Sequence, residues 1–288
     1  MTASLNPYIT KFDEGFDVEK SKDYRLTIQF SLGGLSFAFF DSNSNTIVGI
    51  EFYQSDFLTD GNEVFNAIER ILDSKRMGGK AFQSVTCIVE DRVNTLVPRP
   101  LFDESRALQY LDFGFQIPPD SKILHDFVKK ADGENVYALP QVLYSKLIAK
   151  WPKATFVHAS SLFMNGLLGH DDPARAGVYV CVRNRNFDLL VKKDGELQFF
   201  NNFKFNTKDD FIYFLLFALE QCHLPGPETV VLFSGLVMPA SEIFSLCSRY
   251  VKEVRFIGND QSLKVSEALN EVPFHYYFIH YQALKCES

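Results

Sequence analysis

One block of the sequence reads as strand, tight turn, strand, strand and helix, and it occurs twice. A chain that repeats such a plan is limited to folds built from two like halves. In the first copy, residues 24–40 carry two apolar runs around Ser31-Leu32-Gly33-Gly34. A third run follows at 46–53, after the turn Asp41-Ser42-Asn43-Ser44-Asn45. Apolar runs bounded by Gly, Asn and Asp are the mark of strands joined by tight turns. Residues 61–77 then place Val64, Phe65, Ile68, Ile71 and Leu72 at helical spacing, with Gly78-Gly79 as the expected stop. In the second copy, 177–182 and 187–191 flank Arg183-Asn184-Arg185-Asn186, and a third run lies at 195–200. Thr207 is the expected N-cap of the helix that follows, an apolar segment expected to be buried on most sides.

Between the copies, 84–89, 94–97, 135–139 and 154–158 read as strands, and 103–113, 140–151 and 160–168 as helices. After the second copy, 229–233, 254–257 and 275–281 read as strands and 239–250 as a helix. Strands alternating with helices, plus hairpin meanders, give an α/β fold with a mixed sheet in each half. The polar stretch 169–177, with Gly and Pro, is the best boundary. It divides the chain into an N-terminal lobe, 1–172, and a C-terminal lobe, 173–288.

The composition removes several functions. A net charge of −7 argues against a nucleic-acid backbone as the main ligand. The longest apolar stretch, 211–219, is far short of the roughly 20 residues of a membrane span. The five Cys include no CxxC pair, and the N-terminus has no basic region followed by a long apolar one. Those features predict a cytoplasmic protein without structural disulfides and without membrane insertion. The 29 Phe are about one residue in ten; most are expected in cores, and some on an interface between the lobes or with a partner protein.

The doubled meander resembles the actin and Hsp70 superfamily, which has a ribonuclease-H-like fold, and most closely an uncharacterised bacterial family within it. Pilus-assembly members are a more distant relation. The resemblance covers about residues 24–260. It implies a two-lobed actin-like ATPase fold, each lobe a ribonuclease-H-like mixed sheet flanked by helices. It also implies three nucleotide-binding turns, and each departs from the superfamily pattern. In the first phosphate turn Ser31 stands where the superfamily has the Mg²⁺-linked Asp, while Gly33, Gly34 and Ser36 surround it. The second turn has neither Asp nor Gly, and carries Arg183, Asn184 and Arg185 instead. The adenosine motif is echoed by Ser234 and Gly235, with one of its two Gly replaced. These nine residues are the candidate nucleotide or anion cleft. Without any ligand, the same turns read as an ordinary glycine hairpin, an exposed hairpin with solvated Arg, and a strand-to-helix turn.

Two functional readings follow. The favoured one is a pseudo-ATPase: a non-catalytic scaffold or binding module for a protein partner, with no catalytic residue, no metal and no required cofactor. The alternative is a nucleotide-binding protein or slow ATPase that uses ATP and Mg²⁺ in a non-standard cleft. A nuclease of the ribonuclease-H class needs clustered carboxylates on the first strand, where Gln29 and Ser31 stand. His158 with Ser160 and Ser161 lacks the Gly-x-Ser-x-Gly context of a nucleophile and reads as a helix cap. His275 and His280, in a strand-like run, are expected on opposite faces.

Overall fold

The computed structural model describes residues 5–56, 58–169 and 176–286. The chain opens with β1 (Pro7–Phe12), β2 (Tyr24–Ser31), β3 (Gly34–Asp41) and β4 (Thr46–Gln54), then α1 (Gly61–Ser74) and β5 (Ser84–Val89). It continues through β6 (Asn94–Pro98), α2 (Ala107–Asp112), β7 (Ser121–Val128) and β8 (Gly133–Pro140). Next come α3 (Gln141–Lys150), β9 (Thr155–His158) and α4 (Ala159–Leu168). The second copy of the plan is β10 (Ala176–Val182), β11 (Asn186–Lys193), β12 (Glu196–Lys204) and α5 (Lys208–Gln221). The chain ends with β13 (Val230–Gly235), α6 (Glu242–Cys247), β14 (Glu253–Phe256), β15 (Lys264–Val265) and α7 (Phe278–Cys286).

The duplication seen in the sequence is a duplication of topology. The first sheet runs β1-β4-β3-β2-β5-β9, and the second runs β12-β11-β10-β13-β14. In both, an antiparallel three-strand meander continues into two parallel strands. Local chemistry sets each element. Asp60 caps α1 by accepting from the backbone N–H of Asn62 at 2.8 Å and of Glu63 at 3.0 Å. The helix then buries Val64, Ala67, Ile68, Ile71 and Leu72 against the first sheet. Thr207 and Asp210 form a reciprocal capping box on α5, as the sequence predicts for Thr207. The second core gathers Phe187, Phe211, Leu215 and Phe233 between its sheet and α5.

A small antiparallel sheet, β6-β8-β7, is inserted between β5 and β9. Its strand β7 has no counterpart in the sequence reading, since Lys122, His125 and Asp126 break the apolar pattern. The expected boundary at 172/173 lies outside the described residues. The C-terminal stretch returns to the first sheet, where Lys264 and Val265 pair in parallel with Thr46 and Ile47 of β4. Helix α7 buries Tyr281 and Leu284 against Phe40 and Ile50. It also packs Phe278 and Ile279 with Leu162 and Phe163 of α4 and with Tyr179 of β10. Helices α4 and α7 therefore join the two halves through one apolar cluster.

Four local expectations are corrected. Residues 275–281 are not a strand, because α7 is covered on all sides and a short apolar run does not separate a strand from a buried helix. The apolar segment of α5 is not enclosed: Tyr213 is 62% exposed and Phe217 43%. The helix expected over 239–250 shortens to α6. The stop of α1 also differs from expectation, since Arg76, not Gly78 or Gly79, takes the left-handed conformation at φ 62°. Its side chain is exposed, while its backbone N–H bonds Asp73 O at 2.9 Å. A left-handed L-residue costs about 1–2 kcal/mol, and glycine offsets part of that with unfolded-state entropy. Arg76→Gly is therefore expected to raise stability in urea by about 0.5–1 kcal/mol. A loss of stability would show that the arginine side chain holds the turn.

Candidate functional site

The two hairpins that carry the candidate turns meet tip to tip. Ser31 pairs with Gly34 across β2 and β3, leaving Leu32-Gly33 as a two-residue loop. Gly34 is required there because a Cβ would lie 2.2 Å from Tyr53 O. On the other hairpin, Arg183 N–H bonds Asn186 O at 2.9 Å and closes the turn. A Cβ on Gly33 would come within 3.0 Å of Asn184 Nδ2, so the two tips are already in contact.

Arg183 does not extend into solvent from this turn, as an exposed hairpin requires. It folds inward and is 5% exposed. Its Nη2 donates to Asp188 Oδ2 at 2.6 Å, and its Nε lies 3.7 Å from Glu90 Oε2. Asp188 is fully buried on β11. It accepts a second bond at Oδ2 from Ser160 Oγ at 2.7 Å, and one at Oδ1 from Asn202 Nδ2 at 2.7 Å. Glu90, directly after β5, accepts from the side-chain amide of Gln29 and from the hydroxyl of Ser31. Burial pushes the Asp188 carboxyl up, but the Arg183 guanidinium outweighs it and holds the group below the ordinary carboxylate range. Burial likewise opposes the charge on Arg183, and Asp188 overrides it. At Glu90 burial wins over Arg183 and Gln29, and the pKa is raised.

The nine candidate residues divide into three groups. Ser31, Gly33, Gly34, Arg183, Asn184 and Gly235 surround one cavity of about 60 Å³. Ligand pockets usually span about 300–1,000 Å³, and a water needs roughly 10–15 Å³, so this space suits a few waters and not a nucleotide. Ser36 borders the cavity, but its Oγ is 2.8 Å from His280 Nε2, and His280 Nδ1 is 2.7 Å from Thr27 Oγ1. Burial lowers the pKa of His280 to about 3, so the imidazole in this network is neutral. Ser234 is fully buried, with Oγ 3.5 Å from Val180 O. Gly235 has φ 81°, and a Cβ there would be 2.1 Å from Val182 O. The adenosine-like turn thus lies flat against β10. Arg185 stands outside, in an adjoining groove of about 580 Å³ that it lines with Lys204 and that shares Ser31, Gly33, Glu90 and Asn184 with the small cavity.

His158 behaves as the predicted helix cap. Its Nδ1 accepts from Ser160 N–H at 3.1 Å, which leaves Nε2 as the donor to Asp91 O at 2.9 Å. Burial lowers its pKa to about 3. Ser161 Oγ accepts from Asn135 Nδ2 at 2.8 Å. Among the described residues, no imidazole is placed to take a proton from either serine. Among the described residues, no three His, Cys, Asp or Glu side chains are grouped to hold a metal ion.

Sequence reasoning missed Glu90, Asp188 and Asn202. Asp188 did leave a signal, as a charge inside the apolar run 187–191 with an arginine across the turn. Removing one partner of a buried pair strands the other, at a cost of about 3–5 kcal/mol. Arg183→Leu and Asp188→Leu are each expected to lose that much in urea unfolding. The double variant is expected to lose less than their sum. Single losses below about 1 kcal/mol would show that the pair is solvated.

Asp126 lies close by. Its carboxylate accepts from His158 N–H at 2.7 Å and from Tyr137 OH at 3.2 Å, yet burial raises its pKa from 3.8 to about 6. The native state holds this proton more tightly than the unfolded chain does. Its stabilising contribution is therefore complete below about pH 4 and is lost as the pH rises to about 6. The stability difference between the wild type and Asp126→Asn is expected to move against the wild type by about 3 kcal/mol across that window. A difference that stays flat from pH 4 to 7 would refute the shift.

Comparison with known proteins places this geometry. Residues 13–254 match a family described as protein of unknown function, DUF3822. None of the curated proteins matches the sequence. Among solved structures, the chain is similar to a protein with actin-like ATPase fold and unknown function from Bacteroides thetaiotaomicron. The two share 18% identity and a TM-score of 0.76, over 84% of this chain and 93% of that one. It is also similar to a chain of the PilM-PilN type IV pilus biogenesis complex. There the identity is 12% and the TM-score 0.61, over 91% of this chain and 98% of that one. These likenesses show the fold, which is that of the actin-like ATPases.

Proposed function

The chain belongs to the DUF3822 family, and we propose that it is a non-catalytic member of the actin-like fold that serves as a scaffold or binding module for a protein partner. One observation carries this reading: the Arg183 guanidinium, paired with Asp188, lies between the two hairpin turns that in an ATPase would face the phosphates. A fixed internal cation between Asp188 and Glu90 takes the electrostatic place of a metal. It can donate hydrogen bonds to a water but cannot polarise one as a metal does, nor leave with a product. The approach of the tips at Gly33 and Asn184 leaves a space suited to solvent. On this reading no cofactor is needed, and the lobes act through their surfaces.

Two further observations fit. The similar pilus chain is itself part of a two-protein complex. No helix among the described residues is long and apolar enough to cross a membrane. We propose a cytoplasmic setting on that basis and on the free, mostly buried cysteines.

The test is thermal unfolding with and without millimolar ATP and Mg²⁺. A ligand at 100 times its dissociation constant stabilises a protein by about 2.7 kcal/mol. No shift is expected for the wild type. A shift of that size would overturn the scaffold reading. If Arg185→Ala then abolished it, the nucleotide would be assigned to the outer groove beside Lys204.

A further inference from the structure

A second pocket opens on the far side of Glu90, where the first sheet meets α1, α3 and the inserted sheet. Its volume is about 430 Å³, within the range of ligand and side-chain pockets and several times that of the small cavity between the hairpin tips. Its floor is apolar and buried, made by Phe30, Val64, Val89 and Leu139. Two apolar side chains stay in solvent at its edge: Leu32 of the β2–β3 loop, 52% exposed, and Val142 of α3, 36% exposed. The charged residues around it are of one sign. Asp60, Glu90, Asp91 and Asp120 contribute to the lining, and no Lys, Arg or His does.

These carboxylates are not equivalent. Asp60 is engaged by the first N–H groups of α1, Glu90 by Gln29 and Arg183, and Asp91 by Val93 N–H at 2.8 Å. Asp120 has no side-chain hydrogen bond or ion pair among the described residues, while its backbone oxygen accepts from Gln141 N–H at 2.8 Å. The backbone bond holds the main chain of this residue at the edge of an apolar hollow, and its side chain is exposed there. The arrangement complements an apolar group with a cation beside it.

We propose that this pocket is where the scaffold holds its partner, and that the occupant is a short protein segment with an aliphatic or aromatic side chain next to a Lys or Arg. The apolar side chain fills the hollow over Phe30 and Leu139, and the cation meets Asp120. The proposal rests on the scaffold reading above and deepens it by naming the surface and the chemistry of the partner.

The experiment pans a displayed library of random dodecapeptides on the full chain, then measures the enriched peptides by fluorescence anisotropy. The expected enrichment is an apolar residue within two positions of Lys or Arg. Asp120→Lys and Val142→Glu change exposed positions, so folding is checked by circular dichroism and retained. Each is expected to weaken binding at least tenfold, the equivalent of about 1.4 kcal/mol. Peptides that bind both variants as well as the wild type would overturn this pocket and leave the scaffold reading standing. Enrichment of acidic peptides, or no enrichment at all, would overturn the proposed partner chemistry. Saturable binding of free hexylammonium with no enriched peptide would reassign the pocket to small cations. A dimer in sedimentation that Val142→Glu dissolves would reassign it to a second copy of the chain. A nucleotide shift in the preceding test would sink the scaffold reading instead, so the two failures are distinguishable.

Discussion

A guanidinium buried between two carboxylates at the meeting point of two lobes constrains everything around it. Removing Arg183 and Asp188 from water costs several kcal/mol per ion, and that cost is offset only when geometry and remaining hydrogen bonds are both satisfied. Here Asp188 receives Arg183 from its own hairpin, Ser160 from α4 and Asn202 from β12, while Arg183 Nε and Nη1 have no hydrogen-bond partner among the described residues. The network works only with β10, β11, β12 and α4 in their observed register. A one-residue slip in β11 would turn Asp188 to the other face and strand the arginine. Glu90 and Gln29 extend the same network into the first sheet. The Arg183–Glu90 contact and the Ser160–Asp188 bond thereby link this hairpin to the first half of the chain, beside the apolar clusters that join the two halves.

Topology decides where this network can be. In each half the first meander strand lies beside a parallel neighbour, β2 beside β5 and β10 beside β13. Ser31 ends β2, Glu90 follows β5, Arg183 follows β10 and Gly235 ends β13. In open α/β sheets ligands bind at the carboxyl ends of parallel strands. The duplicated plan brings four such ends together, so the location of a site is a property of the fold. What the site does is a property of the side chains placed there, and these differ from what phosphate and metal would need.

The sequence showed the first of these properties better than the second. The meanders were legible because glycine and Asn/Asp turns separate apolar runs of strand length, and α1 because its apolar residues recur at a period near four. Helix α7 was not legible: His275, His280 and Gln282 are polar yet buried, and neither a helical nor a strand period stands out. Strand β7 was hidden for the opposite reason, since half its residues are polar on a small, partly exposed sheet. For the site, Gly33, Gly34 and Gly235 were found because close backbone approach demands glycine. Arg183 was found but misplaced. Whether an arginine on a hairpin faces water or the interior depends on a partner, and its partner Asp188 becomes visible only when the register of β11 is known. Glu90 follows a strand with nothing local to mark it.

A site that had merely lost its ligands would be expected to show polar groups left without partners, or apolar side chains collapsed over them. The cleft is mixed: Arg183 Nε and Nη1 and Asn202 Oδ1 are buried without hydrogen-bond partners among the described residues, while other polar groups are paired. Ser31, which stands where a metal-linked aspartate would be, bonds Glu90, and Glu90 in turn takes Gln29. Ser36 is used by His280 of the C-terminal helix, which returns from the far end of the chain to cover the first meander. Ser31 and Arg183 have thus acquired partners within the protein, while Arg185 lines the open groove. These bonds tie elements of the cleft to one another. On the proposed scaffold reading they hold a surface in one shape, and the acidic hollow over Phe30 and Leu139 adjoins them through Glu90.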